Sequence, residues 1–292
     1  MESLMGTPVA KGLLERVERG CKLLEPSGVT ARLVCVMVGT SKMAEAYFKS
    51  LQRSFSKFPL ELSLCRMEDV ADQRAFNRQL DCLSEDPQVS AIMVLTPLPR
   101  HLSLVEAASH IAPAKDVDAI TLENRAVLYA GEDPLFVPAT AGACMEILDH
   151  YGISPECKDV VVVGRSLTVG KPVAQLLLKR NATVTVCHSK TQDLPSQLSH
   201  ADILVLATGH AHLVHGDKIR SGAIILDAGM SYVEGRGMTG DAYEPSFQGR
   251  RCALTPVPGG VGPVTVAYQA WQVVKACLLA QNLPEDLAGE HR

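Results

Sequence analysis

Three clusters carry residue types and spacings suited to chemistry. The first is VVVVGRSLTVGKPVAQLL (161–178), where an apolar strand ends at Gly164, a polar turn with Arg165 and Ser166 follows, and Gly170 opens a helix. Such a turn presents backbone N–H groups and a helix N-terminus to a phosphate. Ser166 stands at the second glycine position of GxGxxG, so this is a relaxed dinucleotide fingerprint that would also serve an ordinary strand-to-helix turn. A GxxxxGK[ST] phosphate loop does not fit, because five residues separate the glycines and Pro172 follows Lys171. The second cluster is CHSKT (187–191), at the end of the next strand. A carboxylate there accepts from the ribose 2′-hydroxyl of NAD, whereas a cation suits a 2′-phosphate. No carboxylate precedes Asp193, and Ser189 and Lys190 with Arg165 form a hydroxylated, cationic set that points to NADP. The third cluster, GHAHLVHGD (209–217), holds His210, His212 and His215 without Cys or carboxylate at ligand spacing. It reads as a polar loop, and no metal is expected.

These clusters need elements to position them. The 292 residues predict two domains. Apolar runs at 32–39, 60–67 and 90–97 read as strands, and 41–55 and 71–86 as helices, with Ser41 a candidate N-cap. A second series begins near Ala139: helix 140–152, strand 159–164, helix 171–180, and strands 182–188, 201–209, 222–229 and 252–260. A last helix runs from Pro263 to about Leu279, with residues 119–138 as connector. Alternating strands and helices at this spacing mean parallel sheets, hence two α/β domains with a cleft between them. Net charge −4 without blocks and 4% aromatic residues argue against nucleic acid. Nine unevenly spaced cysteines without CxxC read as reduced thiols. The first twenty residues lack the apolar run of a signal peptide, and no run approaches the ~20 residues of a membrane span. The expectation is a cytoplasmic protein.

GRSxxVGKP, CHSKT, ADILVLATG and TPVPGGVGPVT (255–265), in that order, resemble the signature series of the methylenetetrahydrofolate dehydrogenase/cyclohydrolase family. The first domain is similar too, through Tyr47, the PLP at 97–99 and KDVDA at 115–119. The resemblance implies a folate domain (1–138 with 264–292) and a Rossmann-type NADP domain (139–263). It implies oxidation of 5,10-methylenetetrahydrofolate to the methenyl form, followed in many members by hydrolysis to 10-formyltetrahydrofolate, and a homodimer. Carried over by position, it makes Tyr47 and Asp118 catalytic and substrate-binding, with Pro258 and Gly259 also at the substrate. The cofactor contacts become Thr140, Gly164, Arg165, Ser166, His188, Ser189, Ala228, Gly262 and Thr265. An aspartate suits these roles because it accepts two hydrogen bonds from a 2-aminopyrimidine edge, and a tyrosine because it packs on the ring while donating one.

The chain departs from the family pattern at three places. Leu51 stands where the family's helix carries lysine four residues after the tyrosine, Leu95 where its strand carries glutamine, and Ala119 where DVDG has glycine. Lys49 is no substitute, because i+2 lies about 200° from Tyr47 whereas i+4 lies about 40° away. Leucine transfers no proton, so the cyclohydrolase step should be weak or lost. Hydride transfer asks mainly for orientation and exclusion of water, so the dehydrogenase should survive. Two alternatives stand beside this reading: a dehydrogenase for a related pterin carrier, and a non-catalytic regulatory protein that binds folate or NADP.

Overall fold

A computed structural model describes residues 1–235 and 237–284. The chain forms two compact units: Met1–Ala10, Leu128–Glu132 and Pro138–Thr265 in one, and Lys11–Val127, Asp133–Val137 and the described part of Val266–Arg292 in the other.

The second of these units is built on a three-stranded parallel sheet, with Ala31–Val38 between Leu60–Met67 and Ala91–Val94. Side chains alternate across a strand, and a parallel sheet buries both faces. Accordingly Leu33, Cys35 and Met37 join Phe48, Leu51 and Phe55 of the helix Lys42–Phe55 and Trp271 and Val274 of the last helix in one apolar cluster. Val34, Val36 and Val38 join Phe76 and Leu80 of the helix Gln73–Glu85 in another. Both helices start where side chains cap them: Ser41 Oγ accepts from Ala44 N, and Asp72 accepts from Ala75 N.

The other unit carries a six-stranded parallel sheet in the order Glu2–Ser3, Ala253–Leu254, Ile224–Asp227, Ile203–Leu206, Asp159–Val163, Thr183–Cys187. The sequence assigned residues 1–138 to the folate domain, but Met1–Ala10 lies in this unit. Glu2 N donates to Cys252 O (2.8 Å) and Leu4 N to Leu254 O (2.9 Å), so the chain's start extends this sheet. Other elements were unpredicted. A helix spans Gly6–Leu24, the expected connector contains the helix Leu122–Tyr129, and Ser231–Val233 pairs antiparallel with Gly237–Thr239. The expected strand 252–260 shortens to Ala253–Leu254, and the last helix starts at Val261 with Pro263 in its first turn. Among the described residues no helix is long and apolar enough to cross a membrane.

Candidate functional site

In the three-stranded unit, the helix Lys42–Phe55 buries Ala44, Phe48, Leu51 and Phe55 and leaves Lys49 exposed. Tyr47 lies at the edge of that buried face, half-buried against the cluster that contains Cys35, Leu51, Leu95, Val117 and Ala119. Both leucines are core residues, at 0% and 3% exposure, so no polar side chain occupies either position beside Tyr47. Burial, then the Asp118 carboxylate, then Cys35, pushes the Tyr47 hydroxyl far up, so it stays protonated. Burial and Asp118 likewise hold the Cys35 thiol neutral. Tyr47, Cys35 and Asp118 are thus electrostatic neighbours, and of the three only Asp118 has a carboxylate.

The turn that presents Asp118 is held from beneath. Asp116 is fully buried and accepts from Ile120 N (2.9 Å), Thr121 N (2.8 Å) and Asn124 Nδ2 (3.0 Å). Burial raises its carboxyl, and those hydrogen bonds oppose the rise. The two carboxylates of KDVDA therefore divide the work: Asp116 is scaffold, while Asp118 is half-buried. Gln269 and Gln272 both donate to Val117 O (3.2 and 2.7 Å). Ala119 sits at φ +49°, a left-handed conformation that costs a non-glycine residue roughly 1–2 kcal/mol. Arg125 Nε donates to Ala119 O (3.3 Å), and burial lowers its pKa against the pull of Asp116 and Asp118. Neither Asp116 nor Arg125 was singled out from the sequence.

The remaining candidates lie in the six-stranded unit. Gly164 has φ +128°, and a Cβ there would overlap the Ala207 carbonyl oxygen, so only glycine fits this turn. Ser166 Oγ accepts from Val169 N (3.1 Å) and Gly170 N (3.3 Å), closing the start of the helix Gly170–Lys179. Val163 pairs with Cys187, and Gly164 N donates to Cys187 O (2.9 Å), which sets Gly164–Arg165 beside His188–Ser189 at one sheet edge. His188 N donates to Thr191 Oγ1 (2.8 Å), and its Nδ1 accepts from Lys190 N (3.1 Å), leaving the ring proton on Nε2. Arg165, Ser189 and Lys190 are exposed, and among the described residues neither cation has a carboxylate partner. Two cations and a hydroxyl beside a glycine turn form a donor set that fits a dinucleotide carrying an extra phosphate.

Thr140 lies in the first turn of the helix Ala139–His150. Ala228 follows the buried Asp227, whose carboxyl burial pushes up to about 7 although it accepts from Gly229, Asp241 and Ala242 N. Gly262 and Thr265 open the last helix, and the Thr265 hydroxyl donates to Val261 O (3.1 Å). Pro258 and Gly259 belong to this unit and not to that of Tyr47 and Asp118. The histidines have structural partners: His212 and His215 contact the Tyr243 ring, and His210 Nδ1 lies 3.1 Å from Thr208 O. Among the described residues no group of three His, Cys, Asp or Glu is placed to hold a metal.

Residues 4–118 match the family model of the tetrahydrofolate dehydrogenase/cyclohydrolase catalytic domain, and residues 138–281 that of its NAD(P)-binding domain. The chain is 39% identical over 273 residues to the bifunctional protein FolD of Dictyoglomus thermophilum, spanning 94% of this chain and 96% of that one. It is similar to the crystal structure of the bifunctional enzyme FolD of Campylobacter jejuni, with TM-score 0.91, 31% identity, and 97% and 99% of the two chains covered. It is also similar to the Trypanosoma brucei methylenetetrahydrofolate dehydrogenase-cyclohydrolase complexed with NADP cofactor and inhibitor, with TM-score 0.88, 33% identity, and 94% and 96% covered.

Proposed function

The chain belongs to the tetrahydrofolate dehydrogenase/cyclohydrolase family, and on that premise we propose that it is an NADP-dependent methylenetetrahydrofolate dehydrogenase whose cyclohydrolase step is weak or lost. The observation that carries the second half is the burial of Leu51 and Leu95 in the apolar cluster that Tyr47 packs against.

NADP+ supplies the hydride acceptor when bound. Arg165, Lys190 and Ser189 take its 2′-phosphate, and the turn at Gly164–Ser166 brings backbone to the rest of the dinucleotide. Asp118 accepts from the 2-amino and N3–H groups of the pterin, and Tyr47 packs on the ring with its phenol protonated. Oxidation of the methylene bridge removes a hydride and leaves a cation that resonance stabilises, so the chain's residues need not move a proton. Their work is orientation and exclusion of water.

Hydrolysis of that cation is more demanding. A water must lose a proton as it attacks, and the ring nitrogen that leaves must gain one. Positioned acid–base groups contribute typically ~10²–10⁴-fold to such steps. A phenol and a thiol held neutral cannot accept the proton at neutral pH, and Asp118 is engaged with the pyrimidine edge. The Campylobacter jejuni relative is named as both dehydrogenase and cyclohydrolase, and the family pattern that this sequence resembles carries lysine and glutamine where this chain has Leu51 and Leu95.

The experiment supplies 5,10-methylenetetrahydrofolate and NADP+ to the purified protein, follows NADPH and methenyl product separately, then acidifies to return any formyl product to the methenyl form. NADPH matched by accumulating methenyl product is expected. NADPH without methenyl accumulation, restored by acid, would show an active cyclohydrolase and refute the second half. No NADPH from a protein that binds NADP+ would refute the first. A homodimer is proposed as well, consistent with exposed Met230, Tyr232 and Met238 on and beside the antiparallel pair, and sedimentation tests it.

A further inference from the structure

Beside Asp118 lies a hydrogen-bond donor that the fold does not use. Arg125 comes from the first turns of the helix Leu122–Tyr129, and its Nε donates to the carbonyl of Ala119, the residue that follows Asp118. Its Nη2 is buried and has no hydrogen-bond partner. The guanidinium also feels the Asp118 carboxylate as an attractive charge. A buried guanidinium nitrogen without an acceptor is costly and calls for an explanation, and an acceptor carried by a bound ligand would relieve that cost.

The chemistry of the ligand says which acceptor. One edge of a 2-amino-4-oxopyrimidine ring presents, in order, an amino donor, an N–H donor and a carbonyl acceptor. A carboxylate can take the two donors, and the third position then needs a donor next to that carboxylate. Asp118 with Arg125 offers acceptor, acceptor, donor in one neighbourhood. Leu51 and Leu95, in the cluster that Tyr47 packs against, can donate nothing.

We propose that Arg125 is a specificity-determining residue whose Nη2 donates to the 4-oxo group of the pterin while Asp118 accepts from its 2-amino and N3–H groups. The inference rests on the proposed binding of a pterin at Asp118 and adds to it which ring substituents this chain reads and with what. A charged donor lost from a desolvated carbonyl weakens binding about tenfold to hundredfold. A 4-amino group at that position would instead set donor against donor.

The test measures binding of two probes, tetrahydrofolate and its 4-amino-4-deoxy analogue, by calorimetry with NADP+ present. The proteins are the unaltered chain, Arg125→Met and Arg125→Lys, with thermal melting and NADP+ affinity recorded for each. Arg125→Met is expected to weaken tetrahydrofolate by about tenfold or more and to leave the 4-amino analogue unchanged or bound more tightly. Arg125→Lys, which keeps one charged donor, should fall between. The analogue also lacks the N3–H that Asp118 accepts from, but that loss is common to all three proteins, so the change in the probe ratio between proteins isolates Arg125 from any general loosening of the turn. If Arg125→Met weakens both probes equally, Arg125 merely supports the turn, and if it weakens neither, its donor faces no ligand; either result overturns the proposal. If the unaltered protein binds NADP+ but neither probe, the pterin reading fails and this inference falls with it.

Discussion

Restoring an acid–base group beside Tyr47 tests the central argument directly. The perturbation is Leu51→Lys combined with Leu95→Gln. Leu51 is fully buried on the helix Lys42–Phe55, four residues from Tyr47, and Leu95 is buried in the same cluster. Losing two buried leucine side chains forfeits ~3–6 kcal/mol in all, of which the lysine and glutamine stems recover part. Desolvating the ammonium adds a penalty of several kcal/mol, offset by the Asp118 carboxylate that Tyr47 and Cys35 already sense. Against a typical total stability of ~5–15 kcal/mol, the double variant should melt earlier yet fold.

The same burial helps the chemistry. Desolvation lowers a lysine from its usual ~10.4, by up to ~3–5 units when unpaired, and the carboxylate limits the fall. A group moved toward neutrality is what proton transfer to and from the reacting water requires, so hydrolysis should rise by ~10²-fold or more. The assay is disappearance of the methenyl compound without cofactor, with Leu51→Met as an apolar control that should not accelerate it. A double variant that melts cooperatively, keeps its dehydrogenase, and hydrolyses the methenyl compound no faster than the parent would refute the reasoning.

Three further outcomes follow from the geometry. Ala119→Gly removes a Cβ from a left-handed backbone; after glycine's own entropic cost the gain should be ~0.5–1 kcal/mol, a rise of a few degrees in calorimetric melting, and a fall would show that the Ala119 methyl is needed in the core. Arg165→Ala with Lys190→Ala should weaken NADP+ by about tenfold to hundredfold and leave NAD+ nearly unchanged in fluorescence titration; equal losses for both cofactors would remove these cations from the 2′-phosphate. Asp227 is raised from 3.8 to about 7, so the folded state holds this proton more tightly than the unfolded one, and its contribution to stability is lost as pH climbs through that window. Asp227→Asn should be less stable overall, because its amide meets backbone N–H groups, but denaturant melts should show less decline between those pH values; an unchanged slope would mean that the carboxyl is not the group responsible.

The sheet strands were legible because parallel strands buried on both faces read as apolar runs, and Ala31–Val38 and Asp159–Val163 are such runs. Ser41 was legible as a cap for the same local reason that it acts as one. Interspersed charges keep the helix Gly6–Leu24 from showing as an apolar run. Yet Val9, Leu13, Val17, Cys21 and Leu24 recur at helical spacing, and all five are buried. The edge strand Glu2–Ser3 had no such signal, since two exposed residues gain strand geometry only from the partner they pair with.

At the candidate site, one-dimensional spacing was enough to separate Lys49 from Leu51, because helix geometry turns a sequence offset into a direction. Spacing could not separate Asp116 from Asp118: two acids two residues apart look alike until the hydrogen bonds show that one is committed to Ile120, Thr121 and Asn124. That commitment also explains Arg125. The Asp116 carboxylate gathers the N–H groups of Ile120 and Thr121 just ahead of the helix Leu122–Tyr129, a segment polar enough to read as connector, and the helix then carries Arg125 back onto the turn it came from. A side chain whose role depends on a carboxylate nine residues earlier leaves no periodic trace. It becomes visible only when donors and acceptors are counted and its own buried Nη2 is left over.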